Sequence, residues 1–254
     1  MSTTTILVTG GNRGIGRGVV EAYLSKPGYT VIAAVRDTEA PTTKSLKEIK
    51  PASESSLIIV KIDSTSETDP EEAVKALQAK GITSLDIVVA NAGIGNIFHE
   101  VHNINIDEFR KLFDTNTIGP LVLYKALYPL LKATADKKGD GKPIFVGVST
   151  EAASIGELEA NTPYKLGAYG AGKAALNYLV RRAQFENTWL TAFVYNPGFA
   201  QTDMGNSGAK MFGFEQAFVP VSTSVGELVK RIDTATRANA SGKFFQFDGT
   251  EMAF

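Results

Sequence analysis

A tyrosine and a lysine four residues apart are the side chains in this sequence best suited to acid–base chemistry. Tyr169 and Lys173 open a predicted helix, where residues at this spacing share one face. A free phenol titrates at about 10, and an ammonium about 5 Å away favours the phenolate by roughly 3 kcal/mol. Lys173 is therefore expected to lower the pKa of Tyr169 towards neutral pH, where a general acid or base is most effective.

The spacing alone is a weak signal, because a second pair, Tyr128 and Lys132, has it too. Tyr128 lies in a long apolar run, 121–131, which is typical of a core helix, and we interpret the pair as structural. Tyr169 differs because a strand that ends in two hydroxyl residues, 149–150, comes shortly before it. This context favours a catalytic role for Tyr169.

The composition restricts the class of protein. The 254 residues are 43% hydrophobic with a net charge of −1, which suits one large soluble domain and indicates neither a nucleic-acid nor a membrane partner. Since there is no cysteine, disulfides and thiolate metal sites are excluded and a cytoplasmic location is expected. The first residues lack the pattern of a signal peptide.

Short apolar strands alternate with longer helical patterns along the chain. Continuous apolar strands in such an alternation indicate a parallel sheet covered by helices on both faces. With right-handed crossovers, this predicts a single Rossmann-like, doubly wound α/β domain of about seven strands. The predicted strands are 5–9, 29–35, 57–62, 85–90, 144–148, 190–195 and 244–247, and the predicted helices are 15–24, 70–78, 106–132, 168–186 and 221–235.

A glycine-rich turn, 10–16, follows the first predicted strand and opens the first helix. Gly10, Gly14 and Gly16 occupy its first, fifth and seventh positions. Small residues there permit a tight turn and a close backbone approach, and they leave the helix N-terminus facing a pyrophosphate. The turn therefore predicts a dinucleotide site.

The end of the second predicted strand indicates which dinucleotide is bound. NAD-preferring sites usually place a carboxylate there to hold the ribose 2′-hydroxyl, but here Val35 is followed by Arg36. Arg36 and Arg13 could grip a 2′-phosphate through charge-assisted hydrogen bonds, which favours NADP(H) over NAD(H). Asp37, one residue later, keeps the NAD(H) alternative open.

Several motifs, taken in order, resemble those of the short-chain dehydrogenase/reductase family. They are the turn 10–16, the segment 91–93, Asn116, and the pair Tyr169 and Lys173. The resemblance covers nearly the whole chain, and the combination is far more specific than any one motif. It implies an oxidoreductase.

Two further stretches, 181–204 and 242–249, are similar to fungal norsolorinic acid ketoreductase-type enzymes, which reduce ketones on aromatic polyketides in secondary metabolism. The resemblance implies NADPH-dependent reduction of a ketone on a bulky apolar, aromatic polyketide-type substrate. Oxidation of the alcohol is the same chemistry in reverse. A catalytically silent NADP-binding redox sensor is the alternative function.

The resemblance also assigns roles to individual residues. Tyr169 would donate a proton to the carbonyl oxygen, and Lys173 would lower its pKa and bind the nicotinamide ribose. Asn116 would hold a water that links Lys173 to solvent through a helix distortion. The alternative for Asn116 is a hydrogen bond to its own helix backbone.

Cofactor contacts are implied at the glycine turn, along the adenosine side and at the nicotinamide end. The adenosine-side positions include Asp63 at the adenine, and Thr202 would reach the carboxamide or pyrophosphate. The full set is Gly10, Asn12, Arg13, Gly14, Ile15, Gly16, Arg36, Asp63, Asn91, Ala92, Gly93, Tyr169, Lys173, Pro197, Gly198 and Thr202.

One position departs from the family pattern. The family usually has two serines at the end of the fifth strand, whereas here the pair is Ser149 and Thr150. A threonine hydroxyl can donate the same hydrogen bond to a substrate carbonyl, although its methyl stiffens χ1. We favour Thr150 in this role, with Ser149 as the alternative. The gap before Tyr169 is longer than usual, and 157–165 is expected to form a rim.

A segment rich in glycine and large apolar side chains, 199–220, precedes the last predicted helix. It is predicted to be a loop that closes as a lid over an apolar substrate and excludes water. Gly205, Gly208 and Gly213 would let it move. The alternative is that its aromatic side chains pack on the core or on a partner chain.

Two remaining features concern metals and partners. His99 and His102 have no cysteine or carboxylate at ligand spacing, so they are expected at the surface or the pocket wall, with no metal site. The helices 106–132 and 168–186 could form the interface of a homo-oligomer, unless the long insert blocks it.

Overall fold

Apolar, β-branched runs form an eight-stranded sheet in the part of the chain that the computed structural model describes, residues 3–95, 98–161 and 165–254. The spatial order is β3-β2-β1-β4-β5-β6-β7-β8, and every neighbouring pair is parallel except β7 with β8. The winding therefore reverses between β1 and β4, as in doubly wound folds. The strands are β1 (Thr4–Thr9), β2 (Tyr29–Val35), β3 (Ser56–Lys61), β4 (Ile87–Ala90), β5 (Ile144–Val148), β6 (Thr191–Asn196), β7 (Phe244–Gln246) and β8 (Glu251–Met252).

Helices connect the strands and cover both faces of the sheet. Among the described helices, none is both long and apolar enough to cross a bilayer. They are α1 (Gly14–Leu24), α2 (Pro41–Lys44), α3 (Asp69–Ala79), α4 (Ile106–Phe113), α5 (Gly119–Lys138), α6 (Gly167–Glu186), α7 (Asp203–Met211), α8 (Val221–Thr234) and α9 (Arg237–Ala240). A π-helical turn, Asp114–Ile118, joins α4 to α5.

The core has two halves because successive strand residues point to opposite faces of the sheet. Val8 of β1 belongs to an apolar cluster that includes Val20 of α1 and Leu228 of α8. Its neighbour Leu7 belongs to the cluster on the other face, with residues of α5 and α6 such as Leu127. All five side chains are fully buried. The predicted doubly wound α/β domain is confirmed.

Two predicted elements differ from the structure, and one short strand was missed. The helix predicted over 106–132 is divided by the π-helical turn and runs on to Lys138. The segment 199–220, predicted as a loop, contains α7. The two-residue strand β8 was not predicted, because so short an element leaves no pattern of alternating residues. The predicted rim, 157–165, includes residues 162–164, which lie outside the described residues.

The second Tyr–Lys pair has structural partners, as predicted. The Tyr128 hydroxyl donates to Asn187 Oδ1 at 3.0 Å, and the Tyr128 ring packs edge-on against Trp189 with 5.3 Å between centroids. Lys132 forms an ion pair with Asp136. This pair therefore supports the packing of α5 and stands apart from the loops at the sheet edge.

Two leucines of α5 test the packing of this helix on the sheet. Leu127 is fully buried, whereas Leu121 is 37% exposed. Leu127→Ala should lower the free energy of unfolding by about 2–5 kcal/mol, since it removes buried methyl groups and leaves a cavity. Leu121→Ala, the matched control, should cost less than about 1 kcal/mol. Urea unfolding measures both, and equal losses would contradict the described burial.

Candidate active site

The predicted site residues follow the carboxyl ends of four neighbouring parallel strands. The glycine turn follows β1, 91–93 follows β4, Ser149 and Thr150 follow β5, and 197–198 follows β6. The carboxyl ends of parallel strands meet at one edge of the sheet. These loops therefore border one crevice, at the point where the strand order reverses.

The glycine turn has the geometry of a phosphate-binding turn. Gly10 and Gly14 have positive φ angles, 64° and 53°, which glycine adopts without strain. A Cβ on Gly16 would lie 2.3 Å from the Gly10 carbonyl oxygen, so only glycine fits there. Arg13 begins α1 with no side-chain cap, and no acidic residue lies in the first turn. The first N–H groups of α1 are thus available to an anion.

Asn91 fixes the glycine turn from the neighbouring strand. Its Nδ2 donates to the Thr9 carbonyl oxygen at 2.9 Å, and its backbone N–H donates to Thr9 Oγ1 at 3.0 Å. The Ala92 N–H donates to the same hydroxyl at 3.0 Å. These contacts join the ends of β1 and β4, which border the crevice.

Two arginines and one aspartate were predicted to decide between NADP(H) and NAD(H). Arg36 directly follows β2, is exposed, and makes no hydrogen bond or ion pair with a described residue. Arg13 is 64% exposed, with its Nη1 4.0 Å from Asp203 Oδ2. Asp37 accepts a hydrogen bond from the Glu39 backbone N–H at 2.8 Å, so its carboxylate already caps a turn.

Three other positions expected to contact the cofactor have local partners. Asn12 Nδ2 donates to Thr42 Oγ1 at 2.8 Å, and Ile15 is buried in the core. Asp63 Oδ1 accepts hydrogen bonds from the Thr65 N–H and hydroxyl. These contacts order the loops around the crevice, and direct cofactor contacts at these positions stay predictions.

Burial sets the pKa of both members of the Tyr169–Lys173 pair. It raises the pKa of Tyr169 to about 12 and lowers the pKa of Lys173 to about 8. The Lys173 ammonium donates to the Val148 carbonyl oxygen at 2.7 Å. The predicted net fall of the Tyr169 pKa towards neutral pH is therefore wrong for this structure, because burial favours the neutral form of each side chain and sets the direction of both shifts.

Asn116 lies in the π-helical turn, so the predicted helix distortion is present. Its Oδ1 accepts from the Ile94 N–H at 2.9 Å and its Nδ2 donates to the Ile94 carbonyl oxygen at 2.8 Å. The alternative of a hydrogen bond to its own helix backbone is thus wrong. The Asn116 side chain instead binds the loop after β4. This loop passes close to Lys173, since a Cβ on Gly93 would lie 3.4 Å from Lys173 Nζ. A water link from Asn116 to Lys173 stays a prediction.

The two hydroxyl residues after β5 have different surroundings. The Ser149 hydroxyl is buried and donates to Asn177 Oδ1 at 2.6 Å. Thr150 Oγ1 accepts from the Ala152 N–H at 3.3 Å, and its own O–H has no acceptor among the described residues. Of the two, only Thr150 has a hydroxyl proton free for a substrate.

The helix α7 lies over the crevice. Its cap residue Thr202 contacts the glycine turn, since a Cβ on Gly14 would lie 3.0 Å from Thr202 Cγ2. A Cβ on Gly95 would lie 3.1 Å from Met204 Sδ and 3.6 Å from Tyr169 Cε2. The segment predicted as a lid therefore reaches both the predicted cofactor turn and the predicted proton donor.

The glycines expected to give the lid its mobility do not share one role. Gly205 and Gly208 are part of α7, and a Cβ on Gly205 would lie 1.9 Å from the Ala200 carbonyl oxygen. Gly205 is thus required by close packing and is not a hinge. Gly213, with a φ of 81° and open space around it, ends the helix in a turn.

Apolar side chains remain exposed on the segments that border the crevice. Phe214, Phe218 and Met211 follow or end α7 and are 39%, 59% and 61% exposed. On other segments, Val101 is 77% exposed and Ile155 is 75% exposed. Neither Val101 nor Ile155 was predicted as a site residue, because no sequence pattern marks a single apolar residue in a connecting segment.

The two histidines each have one carboxylate partner. His99 Nε2 lies 3.2 Å from Glu108 Oε2, and His102 Nδ1 lies 3.6 Å from Glu100 Oε2. Within residues 3–95, 98–161 and 165–254, no three His, Asp or Glu side chains are grouped to hold a metal ion.

Gly198, predicted at the nicotinamide end, makes a sharp turn after β6. It has a φ of 69°, and its N–H donates to Asn196 Oδ1 at 3.0 Å. A Cβ there would lie 2.5 Å from the Phe247 ring. Phe247 follows β7 and supports this turn, a role that no sequence motif indicated.

Comparisons with known proteins agree with this geometry. A family model described as short chain dehydrogenase matches residues 4–211. A norsolorinic acid ketoreductase of Dothistroma septosporum is 43% identical over 251 residues, covering 98% of this chain and 92% of that protein. A norsolorinic acid ketoreductase of Aspergillus parasiticus is 39% identical over 251 residues, covering 98% and 90%.

Solved structures are similar over the same length. The crystal structure of an NADPH-bound carbonyl reductase from chicken fatty liver superposes with a TM-score of 0.86 at 27% identity, covering 100% of this chain and 95% of that one. The likeness includes every strand that borders the crevice.

Two glycine substitutions test the turn after β1. Gly16→Ala should abolish dinucleotide binding, because the new Cβ would force apart the Gly10 carbonyl and the Asn91 amide, 2.3 and 2.5 Å away. Gly226→Ala, in an exposed part of α8 with nothing within 4 Å, is the control. It should keep binding and raise stability by about 1 kcal/mol. Fluorescence titration with NADPH measures binding, and tight binding by Gly16→Ala would refute the described turn.

The buried ammonium of Lys173 predicts a pH dependence of stability. Its pKa is about 8 in the folded chain against a usual 10.5, so between these values the unfolded chain binds more protons. Between pH 8 and 10, the stability of the wild type relative to Lys173→Met should therefore rise by on the order of 2 kcal/mol. Urea unfolding across this range measures the difference, and the exposed control Lys132→Met should show the same rise relative to Lys173→Met. A difference between the wild type and Lys173→Met that stays constant with pH would contradict the assignment.

Proposed function

Because the chain belongs to the short-chain dehydrogenase family, we propose that it is an NADPH-dependent ketoreductase that reduces a ketone on a bulky apolar, aromatic polyketide-type molecule to a secondary alcohol. The observation that supports the proposal is that the loop 91–95 contacts the glycine turn through Asn91 and lies beside Lys173 and Tyr169 at Gly93 and Gly95. The oxidative direction uses the same residues.

The residues at the crevice fit a nicotinamide dinucleotide phosphate. Any Cβ at Gly16 would fill the space inside the glycine turn, so this space is kept free for a ligand. The start of α1 has no side-chain cap, which suits a pyrophosphate. Arg36 and Arg13 would hold the 2′-phosphate, since neither makes a close hydrogen bond and Asp37 already serves its own turn. When bound, the cofactor supplies the hydride to the carbonyl carbon.

Tyr169 would donate the proton to the carbonyl oxygen. With a pKa of about 12, its phenol keeps the proton at neutral pH, which is the state that a donor requires. Lys173, with a pKa of about 8, is mostly charged at pH 7. Its ammonium lies one helical turn away and would stabilise the phenolate left after the transfer.

Thr150 would orient the carbonyl and stabilise the oxygen as it gains charge. Its Oγ1 accepts from the Ala152 N–H, which leaves the hydroxyl proton to be donated. Ser149 is less suited, because its proton is already donated to Asn177.

The proposed substrate class is supported by the apolar side chains near the crevice. Met204 lies above the loop that contacts Tyr169, and the Phe98 and Phe212 rings meet edge-on at 4.8 Å. Together with the exposed Met211, Phe214 and Phe218 they offer an apolar wall. The two fungal relatives described above are ketoreductases of norsolorinic acid, which supports an aromatic ketone.

The proposal is tested by NADPH oxidation with a panel of aliphatic, monocyclic and polycyclic ketones, with NADH in parallel. We expect the polycyclic aromatic ketones to be reduced fastest and NADPH to be preferred. Tyr169→Phe should lower kcat by about 10²–10⁴-fold, because it removes the proton donor, while the Kd for NADPH is retained.

The matched control is Tyr128→Phe, which has the same Tyr–Lys spacing on α5 but lies outside the crevice, and it should keep full turnover. A wild type that binds NADPH but consumes no ketone would favour the redox-sensor function instead. An equal loss of kcat in Tyr169→Phe and Tyr128→Phe would contradict the catalytic assignment of Tyr169.

A further inference from the structure

The last strand of the sheet continues into a tail, residues 253–254, that binds the segment after Thr150. The Ala253 N–H donates to Glu157 Oε1 at 2.9 Å, and the Ser154 hydroxyl donates to the Ala253 carbonyl oxygen at 2.8 Å. The Gly156 N–H donates to the Phe254 carbonyl oxygen at 2.8 Å. Three hydrogen bonds therefore join the tail to 154–157.

The tail is itself anchored at the edge of the sheet. Strand β8 pairs antiparallel with β7, and the Phe254 ring packs against Phe244 of β7 with 5.6 Å between centroids. The guanidinium of Arg181, on α6, lies 4.6 Å from the centre of the Phe254 ring. The tail thus connects the rigid sheet and α6 to a segment that has no strand or long helix of its own.

The segment held by the tail is continuous with the residues proposed to act on the carbonyl. The short turn 151–153 separates Thr150 from the buried Ser154. In this turn the Ala152 N–H donates to the Thr150 hydroxyl oxygen. The Ala152 carbonyl oxygen would lie 2.5 Å from a Cβ on Gly170, the residue after Tyr169. One short turn therefore touches both Thr150 and the start of α6.

We propose that Ala253 and Phe254 are positioning residues for the reaction, which hold the turn 151–153 so that the Thr150 hydroxyl and the Tyr169 phenol face the same carbonyl oxygen. This inference rests on the proposed function. It extends the set of residues that determine turnover to a tail that, among the described residues, makes no hydrogen bond with Thr150, Tyr169 or Lys173.

The mechanism of this positioning is geometric. A catalytic pair separated by a long connection keeps its geometry only if that connection is fixed, and small displacements of a reacting group reduce rate steeply. Ser154 is the point where the tail acts, because its hydroxyl donates to Ala253 and also accepts from the Glu157 N–H at 3.1 Å. Loss of the tail would leave this hydroxyl without its acceptor and remove three of the hydrogen bonds that hold the segment.

The test compares four variants of the full-length chain with the wild type, using the ketone that the wild type reduces fastest in the panel. Phe254→Ala and Ser154→Ala should each lower kcat by roughly tenfold or more, since they release the turn that places Thr150. The Kd for NADPH should not change. Phe254→Tyr, which keeps the ring contacts, should restore kcat. Phe185→Ala, which removes a 62% exposed aromatic from α6, is the matched control and should be silent.

Amide hydrogen exchange of peptides that cover 150–157 gives a second readout that needs no turnover. Exchange there should be faster in Phe254→Ala and Ser154→Ala and normal in Phe254→Tyr and Phe185→Ala. Faster exchange with unchanged kcat, or unchanged exchange in both alanine variants, would overturn the positioning role. A wild type that reduces no ketone would refute the proposed function, and the exchange data would still decide whether the tail holds the segment.

Discussion

The hydrogen bond from the Lys173 ammonium to the Val148 carbonyl oxygen is the interaction on which the site depends. A charge removed from water costs several kcal/mol unless polar groups replace its hydration. Here a backbone carbonyl at 2.7 Å does so. The Val148 carbonyl oxygen is available to Lys173 because β4 ends at Ala90, which pairs with Gly147, whereas β5 continues for one more residue, Val148.

The neighbouring loop is shaped around the same ammonium. Gly93 leaves room beside Lys173 Nζ, and Asn116 holds the backbone of Ile94 with both ends of its amide. The π-helical turn brings Asn116 to that position between α4 and α5. The surroundings of the buried Lys173 ammonium thus depend on three features. They are the π-helical turn between α4 and α5, the end of β4 at Ala90, and the lack of a side chain at Gly93.

Much of the fold was predictable from the sequence, because continuous apolar strands and alternating helices leave few other arrangements. Sites that depend on strand ends were predictable for the same reason: the glycine turn, Ser149 and Thr150 reach one sheet edge once the sheet is parallel. What could not be predicted depends on burial. The pKa of Tyr169 was expected to fall with its charged neighbour but rises, since spacing along a helix does not reveal how dry its surroundings are. The tail contacts of Phe254 join residues about 100 positions apart and leave no local pattern.

The short strand β8 also bears on whether a strand of another chain could extend the sheet. A sheet edge with unpaired N–H and C=O groups is a template for strand addition and aggregation, and natural sheets blunt such edges with short strands and charged side chains. At one side of the sheet β8 offers only two residues, of which Glu251 is exposed. Its ion pair with Lys243 places charge of both signs at that border. An incoming β-strand would find too little backbone and too much charge there to extend the sheet into a fibril.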